Sequence, residues 1–146
     1  MNILITSAGQ RVSLVRAFQK ELKVVYPQSK VFTTDMNPML SPACNISDMF
    51  FKVRKVTVPQ YIPELLGICK KWQVSMIVPT IDTELLILSR NKNLFKNEGI
   101  DVIISEESFV SICRDKRETS RYFKKNSIDV PEIIDKTNPS FPMFIN

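Results

Sequence analysis

"NILITSAGQRVSLVRAF", residues 2–18, decides how this chain is read. Asn2 to Thr6 form a short continuous apolar run, the pattern of a strand buried on both faces. A polar turn with one glycine, Gly9, follows. Val12, Val15, Phe18 and Leu22 then recur at helical spacing. A buried strand feeding an amphipathic helix is half of a parallel crossover unit.

Working outward, the same alternation continues. "VFTTD" (31–35), "MFFKV" (49–53), "SMIVPTI" (75–81) and "IDVIIS" (100–105) read as four more strands. "SPAC" (41–44) offers a Ser N-cap with Pro at the first helical position. "YIPELLGICKKW" (61–72) reads as a helix whose regular part begins near Pro63, because proline crowds the preceding turn. One long helix is expected over 82–97, ended by Gly99. Ser105 with Glu106 and Glu107 caps a short helix to 113, and Asp115 with Glu118 opens another to Asn126. Strand–helix alternation implies an α/β fold: an open parallel sheet of about five strands with helices on both faces. Residues 1–113 would form this domain and 114–126 a linker helix. Residues 127–146 carry three prolines and no helical period, and read as a C-terminal extension.

Composition narrows the chemistry. The chain has no histidine, which removes Ser-His-Asp and Cys-His catalysis and the commonest zinc sites. Cys44, Cys69 and Cys113 are odd in number and widely spaced, so they fit a reducing compartment and not a disulfide frame or a metal site. The N-terminus lacks the basic leader of a signal peptide, and no apolar window is long enough for a bilayer. The expectation is a cytoplasmic protein without a membrane partner. The net charge of +5 is spread among mixed signs. The densest basic stretch, "RDKRETSRYFKKN" (114–126), places Arg117, Arg121 and Lys125 on one helical face. It reads as a solvated face, and no nucleic-acid partner is expected.

An open parallel sheet binds ligands beyond the carboxyl ends of its strands. Here those ends are "TSAGQR", Asp35 with "MNP", and "PTIDTE". The glycine fingerprints of dinucleotide and P-loop folds are absent. The first turn can still present N–H groups to an anion, helped by Ser7 and Arg11, or Gly9 can simply permit the turn while Arg11 is solvated. Asp35 can hold a ligand hydroxyl or shape the "DMNP" turn. Thr80, Asp82 and Glu84 crowd the start of a helix, where Asp82 can cap it and Glu84 can instead meet a substrate amine.

The ordered series "NILITSAGQRVSLVRAF", "VFTTDMNPMLSPAC", "VPTIDTEL" and "CRDKRETSRYFKKNSIDVP" resembles the front end of ATP-grasp enzymes. It is similar above all to proteins like the large subunit of carbamoyl-phosphate synthase. The resemblance implies a Rossmann-like pre-ATP-grasp domain that does not bind dinucleotides. It implies a following lobe that holds ATP and Mg²⁺, phosphorylates a carboxylate and lets an amine attack. It also implies that Lys116 reaches ATP phosphates. Ser127 stands where relatives carry glycine. "FPMFIN" (141–146) matches the family's next strand, except that Asn146 replaces its ATP-contacting lysine.

The expectation is therefore an N-terminal domain that contributes to binding and does not ligate by itself. It has no catalytic or metal residue of its own and no stable hold on ATP alone. The missing lobe would be supplied in cis or trans, from a truncated gene or a split enzyme. Ser7, Gly9, Arg11, Asp35, Thr80, Asp82 and Glu84 would serve a small carboxylate or amine substrate. The apolar C-terminal strand would either be disordered or dock on the domain or on a second copy, hiding Phe141, Phe144 and Ile145. A non-enzymatic nucleotide or metabolite module using the same crevice is the rival reading.

Overall fold

The computed structural model describes residues 1–131 and divides into two compact units, 1–107 and a second from 108 onward. The expectations on the C-terminal strand and Asn146 lie outside the described residues.

In the first unit, β1 (Asn2–Thr6), β2 (Val31–Asp35), β3 (Met49–Lys52), β4 (Val74–Pro79) and β5 (Asp101–Val102) form one all-parallel sheet in the order β3-β2-β1-β4-β5. The helices are α1 (Val12–Val25), α2 (Pro42–Ile46), α3 (Tyr61–Lys71), α4 (Asp82–Arg90) and α5 (Lys92–Asn97). The fold is the expected Rossmann-like α/β arrangement. Alternation along β1 shows why both faces must be covered. Ile3 and Ile5 pack with Val15 and Leu22 of α1 and Ala43 and Cys44 of α2. Leu4 points the other way, into a core with Tyr61, Leu65 and Cys69 of α3, Leu88 of α4 and Phe95 of α5. Leu4 is fully buried. Its truncation to alanine would cost about 2–5 kcal/mol.

Several local expectations shift, each for a physical reason. α3 begins at Tyr61, so Pro63 lies in the first turn, where no intrahelical N–H bond is lost. The single helix over 82–97 is two. Asn91 Nδ2 donates to the Ile87 carbonyl at 2.8 Å, and this side-chain bond marks the break between α4 and α5. β5 is shorter than "IDVIIS": Ile103 N–H still reaches Ile77 O, but Ile104 N–H folds back onto Val102 O at 2.9 Å. The Ser41 cap holds, its hydroxyl accepting the Cys44 N–H at 3.2 Å.

α6 (Glu107–Arg114) starts at the boundary, and α7 (Lys116–Lys125) lies wholly in the second unit. Asp115 caps α7 through the Arg117 N–H at 2.9 Å. Tyr122 meets Phe109 and Phe123 edge-on, at 5.7 and 5.9 Å between ring centres. The helix ends on Ser127 in the left-handed region, φ +58°. Ser127 N–H bonds Lys124 O and Ile128 N–H bonds Phe123 O, a glycine-type stop made with serine. Of the basic face, Arg117 pairs with Asp115 and Arg121 with Glu118.

Candidate functional site

The connections after β1 and β4 leave the sheet in opposite directions, which puts the usual ligand position of such folds beyond the carboxyl ends of these neighbours. The floor of that position is the turn from Ser7 to Arg11. Ser7 and Gly9 both take left-handed backbone, at φ +50° and +48°. A side chain at Gly9 would meet no crowding closer than 3.7 Å, so it is the backbone angle that favours glycine there.

One face of this turn is tied to the end of β2. Asp35 Oδ2 accepts the Gly9 N–H at 3.1 Å, and Oδ1 accepts the Asn37 N–H at 2.9 Å. The Gly9 carbonyl accepts from the Ser41 hydroxyl at 2.7 Å and from the Ala43 N–H at 3.1 Å. Asp35 thus shapes the turn, one of the two roles open to it in the sequence.

The other face is tied to β4. Thr80 Oγ1 donates to Thr6 O at 2.9 Å and to Ser7 O at 2.7 Å. Glu84 lies beneath, completely buried. Its Oε1 accepts from Thr6 Oγ1 at 3.0 Å and from the backbone N–H of Thr80 and Ile81 at 2.9 and 3.4 Å. Its Oε2 accepts from Ser7 Oγ at 2.9 Å and from Tyr61 OH at 3.0 Å. A buried carboxylate is tolerated only when its lone pairs are met, and here five donors meet them. Burial, then the neighbouring Glu84 carboxylate, holds the Tyr61 hydroxyl well above the usual phenol range.

Two expectations change in consequence. Glu84 does not face a substrate amine, because both of its oxygens are engaged inside the protein. Asp82 is not the cap of α4. It is an exposed first-turn residue, and the capping is done by Glu84 reaching back to the Ile81 N–H. Arg11 is exposed at the rim, with one long bond from Nη2 to Thr80 O at 3.4 Å. Two hydrogen-bonded sets therefore meet on one turn, Gly9 with Asp35 on one face and Ser7, Thr80, Glu84 and Arg11 on the other. Lys116 opens α7 in the second unit. Tyr61 and Thr6 belong to the Glu84 set and Ser41 to the Gly9 set, roles that were not anticipated. The signal was available: an acid at a strand–helix junction needs hydroxyl donors, and an aromatic with a hydroxyl at a helix start can be one. Among the described residues, no three His, Cys, Asp or Glu side chains gather as metal ligands. No described helix is long and apolar enough to cross a membrane.

A Rossmann-like sheet without a glycine fingerprint is the frame expected of a pre-ATP-grasp N-terminal domain. The family comparison agrees, with residues 3–103 matching the PylC-like N-terminal domain, and the chain belongs to that family. No curated protein sequence matches it. Among solved structures, it is similar to glycinamide-RNase-transformylase T from Mycobacterium tuberculosis, at 13% identity and TM-score 0.60, over 86% of this chain and 35% of that one. The biotin carboxylase subunit of a pyruvate carboxylase gives 12% identity and TM-score 0.60, over 88% of this chain and 28% of the other. A complete multifunctional pyruvate carboxylase from Rhizobium etli gives 12% and 0.59, over 92% of this chain and 13% of that one. These likenesses concern the fold, and the chain spans about a third or less of each neighbour's length.

Proposed function

We propose that this chain is the substrate-side N-terminal domain of an ATP-grasp carboxylate–amine ligase. The observation that carries the reading is the family match over residues 3–103, with Ser7, Thr80 and Glu84 tied together where the chain direction switches between β1 and β4. There Ser7, Gly9, Arg11 and Thr80 line the entry for a small carboxylate or amine. Asp35 and Glu84 act from behind by fixing the turn, and Asp82 stands at the exposed rim. Lys116 contributes a charge to ATP phosphates. A separate ATP-grasp lobe, in the same protein or a partner, supplies the hold on ATP and Mg²⁺. Kinship to carbamoyl-phosphate synthase-like ligases and a cytoplasmic location belong to the same proposal.

Calorimetry of the 146-residue chain with ATP, amino acids and small carboxylates tests it. The expected result is weak binding of a small carboxylate or amine, with no ADP release. Substrate-dependent ADP release from this chain alone would overturn the reading. Tight metabolite binding that needs no second lobe would favour a stand-alone binding module.

A further inference from the structure

The two oxygens of Glu84 are supplied differently. Oε1 is held by Thr6 Oγ1 and two backbone N–H groups, whereas Oε2 depends on two hydroxyls, those of Ser7 and Tyr61. These hydroxyls differ in access. Tyr61 is 1% exposed, inside the α3 core, while Ser7 is partly exposed at the crevice floor. A buried carboxylate oxygen can release one donor at little cost only if another stays.

Turning the Ser7 hydroxyl away from Glu84 requires no backbone movement. The Ser7 carbonyl is pinned by Thr80 Oγ1 at 2.7 Å, so rotation about χ1 alone redirects the hydroxyl. Left-handed backbone at a non-glycine residue is itself a feature that gathers at functional sites. The other polar groups nearby are committed: Thr80 Oγ1 donates to two carbonyls, and Asp35 and Glu84 are acceptors already engaged. Arg11, whose exposed guanidinium reaches Thr80 O at 3.4 Å, adds a cation at the end of the same turn, and a hydroxyl donor with a cation suits an acceptor with negative charge.

We propose that Ser7 Oγ is the donor this crevice offers to a ligand carboxylate, and that Tyr61 is a positioning residue that keeps Glu84 Oε2 satisfied while Ser7 is turned away. This rests on the substrate-side reading above.

The test uses the ¹⁵N-labelled full chain, with acetate as the carboxylate probe. Tyr61→Phe removes only the hydroxyl, Ser7→Ala removes the donor, and Cys69→Ala loosens α3 packing elsewhere. In the wild type, acetate should shift the amide signals of Ser7, Gly9 and Thr80. Both Ser7→Ala and Tyr61→Phe should need about tenfold more acetate, the latter because Ser7 is then locked onto Glu84. Cys69→Ala should titrate as wild type. Without acetate, the Thr80 and Ile81 amides should exchange about tenfold faster in Tyr61→Phe than in Cys69→Ala. Equal exchange in these two variants, or unchanged acetate binding in Tyr61→Phe, overturns the positioning role. No acetate response in the wild type, with the exchange difference present, instead overturns the carboxylate reading of the crevice.

Discussion

The Asp35 carboxylate holds Gly9: its Oδ2 accepts the Gly9 N–H at 3.1 Å while Oδ1 accepts the Asn37 N–H. One side chain thus fixes the turn after β1 from the end of β2. Asp35→Ala leaves both N–H groups without it and should lower stability by about 1–3 kcal/mol. Urea denaturation measures this. An unchanged midpoint would mean that the turn does not depend on the acid.

Glu84→Gln is the sharper substitution. It puts an amide NH₂ where two hydroxyls or three other donors now point. With the amide oxygen kept toward the Thr80 and Ile81 N–H groups, the new NH₂ meets the Ser7 and Tyr61 hydroxyls, which must turn round to accept in a fully buried place. The expected loss is about 1–3 kcal/mol, because charge-assisted bonds become neutral ones. A thermal melt close to the wild type would show that the network contributes little.

Two helix ends carry a conformational cost that glycine would remove. Gln73, after α3, and Ser127, after α7, sit at φ +51° and +58°. Gln73→Gly and Ser127→Gly should each stabilise the chain by about 1 kcal/mol. Gly99 already fills the same place after α5, at φ +73°, so Gly99→Ala should destabilise by a similar amount. Chemical denaturation of the three variants gives the signs directly.

Alkaline pH should weaken the fold before it ionises the core. Burial pushes the Cys69 thiol up from 9.0 to about 12, and the Tyr61 hydroxyl also rises. Both are raised in the folded state, so the unfolded chain loses these protons first. Their stabilising contribution is complete below pH 9 and shrinks as pH climbs from 9 toward 12 for Cys69. It shrinks from 10 upward for Tyr61. The slope is about 1.4 kcal/mol per pH unit for each group once its unfolded form is ionised. Cys69→Ala should flatten the decline between pH 9 and 10. A decline unchanged by that substitution would place its origin elsewhere.

The sheet was legible because β1 and β2 are buried on both faces and read as short runs of apolar and β-branched residues. The turn residues were legible because they stand at the carboxyl ends of strands. What could not be read was direction. Glu84 and Asp82 lie two residues apart, and only the helical rotation between them decides that one is buried and the other exposed. Tyr61 looked like any core aromatic, since its hydroxyl meets Glu84 through a bond between residues 23 apart in the chain. The split at Asn91 follows from a side chain competing with the backbone, which apolar periodicity does not register.

The pairing of Ser7 with Glu84 also sets an order of events during synthesis. The two are 77 residues apart, and Gly9 waits 26 residues for Asp35. The nascent chain can therefore make the first half of the turn's anchorage once β2 has emerged. The second half has no carboxylate to reach until α4 begins. Until then Ser7 has neither the Thr80 hydroxyl on its carbonyl nor an acceptor for its own. The crevice, encoded first in the chain, is among the last parts of the sheet to acquire its shape.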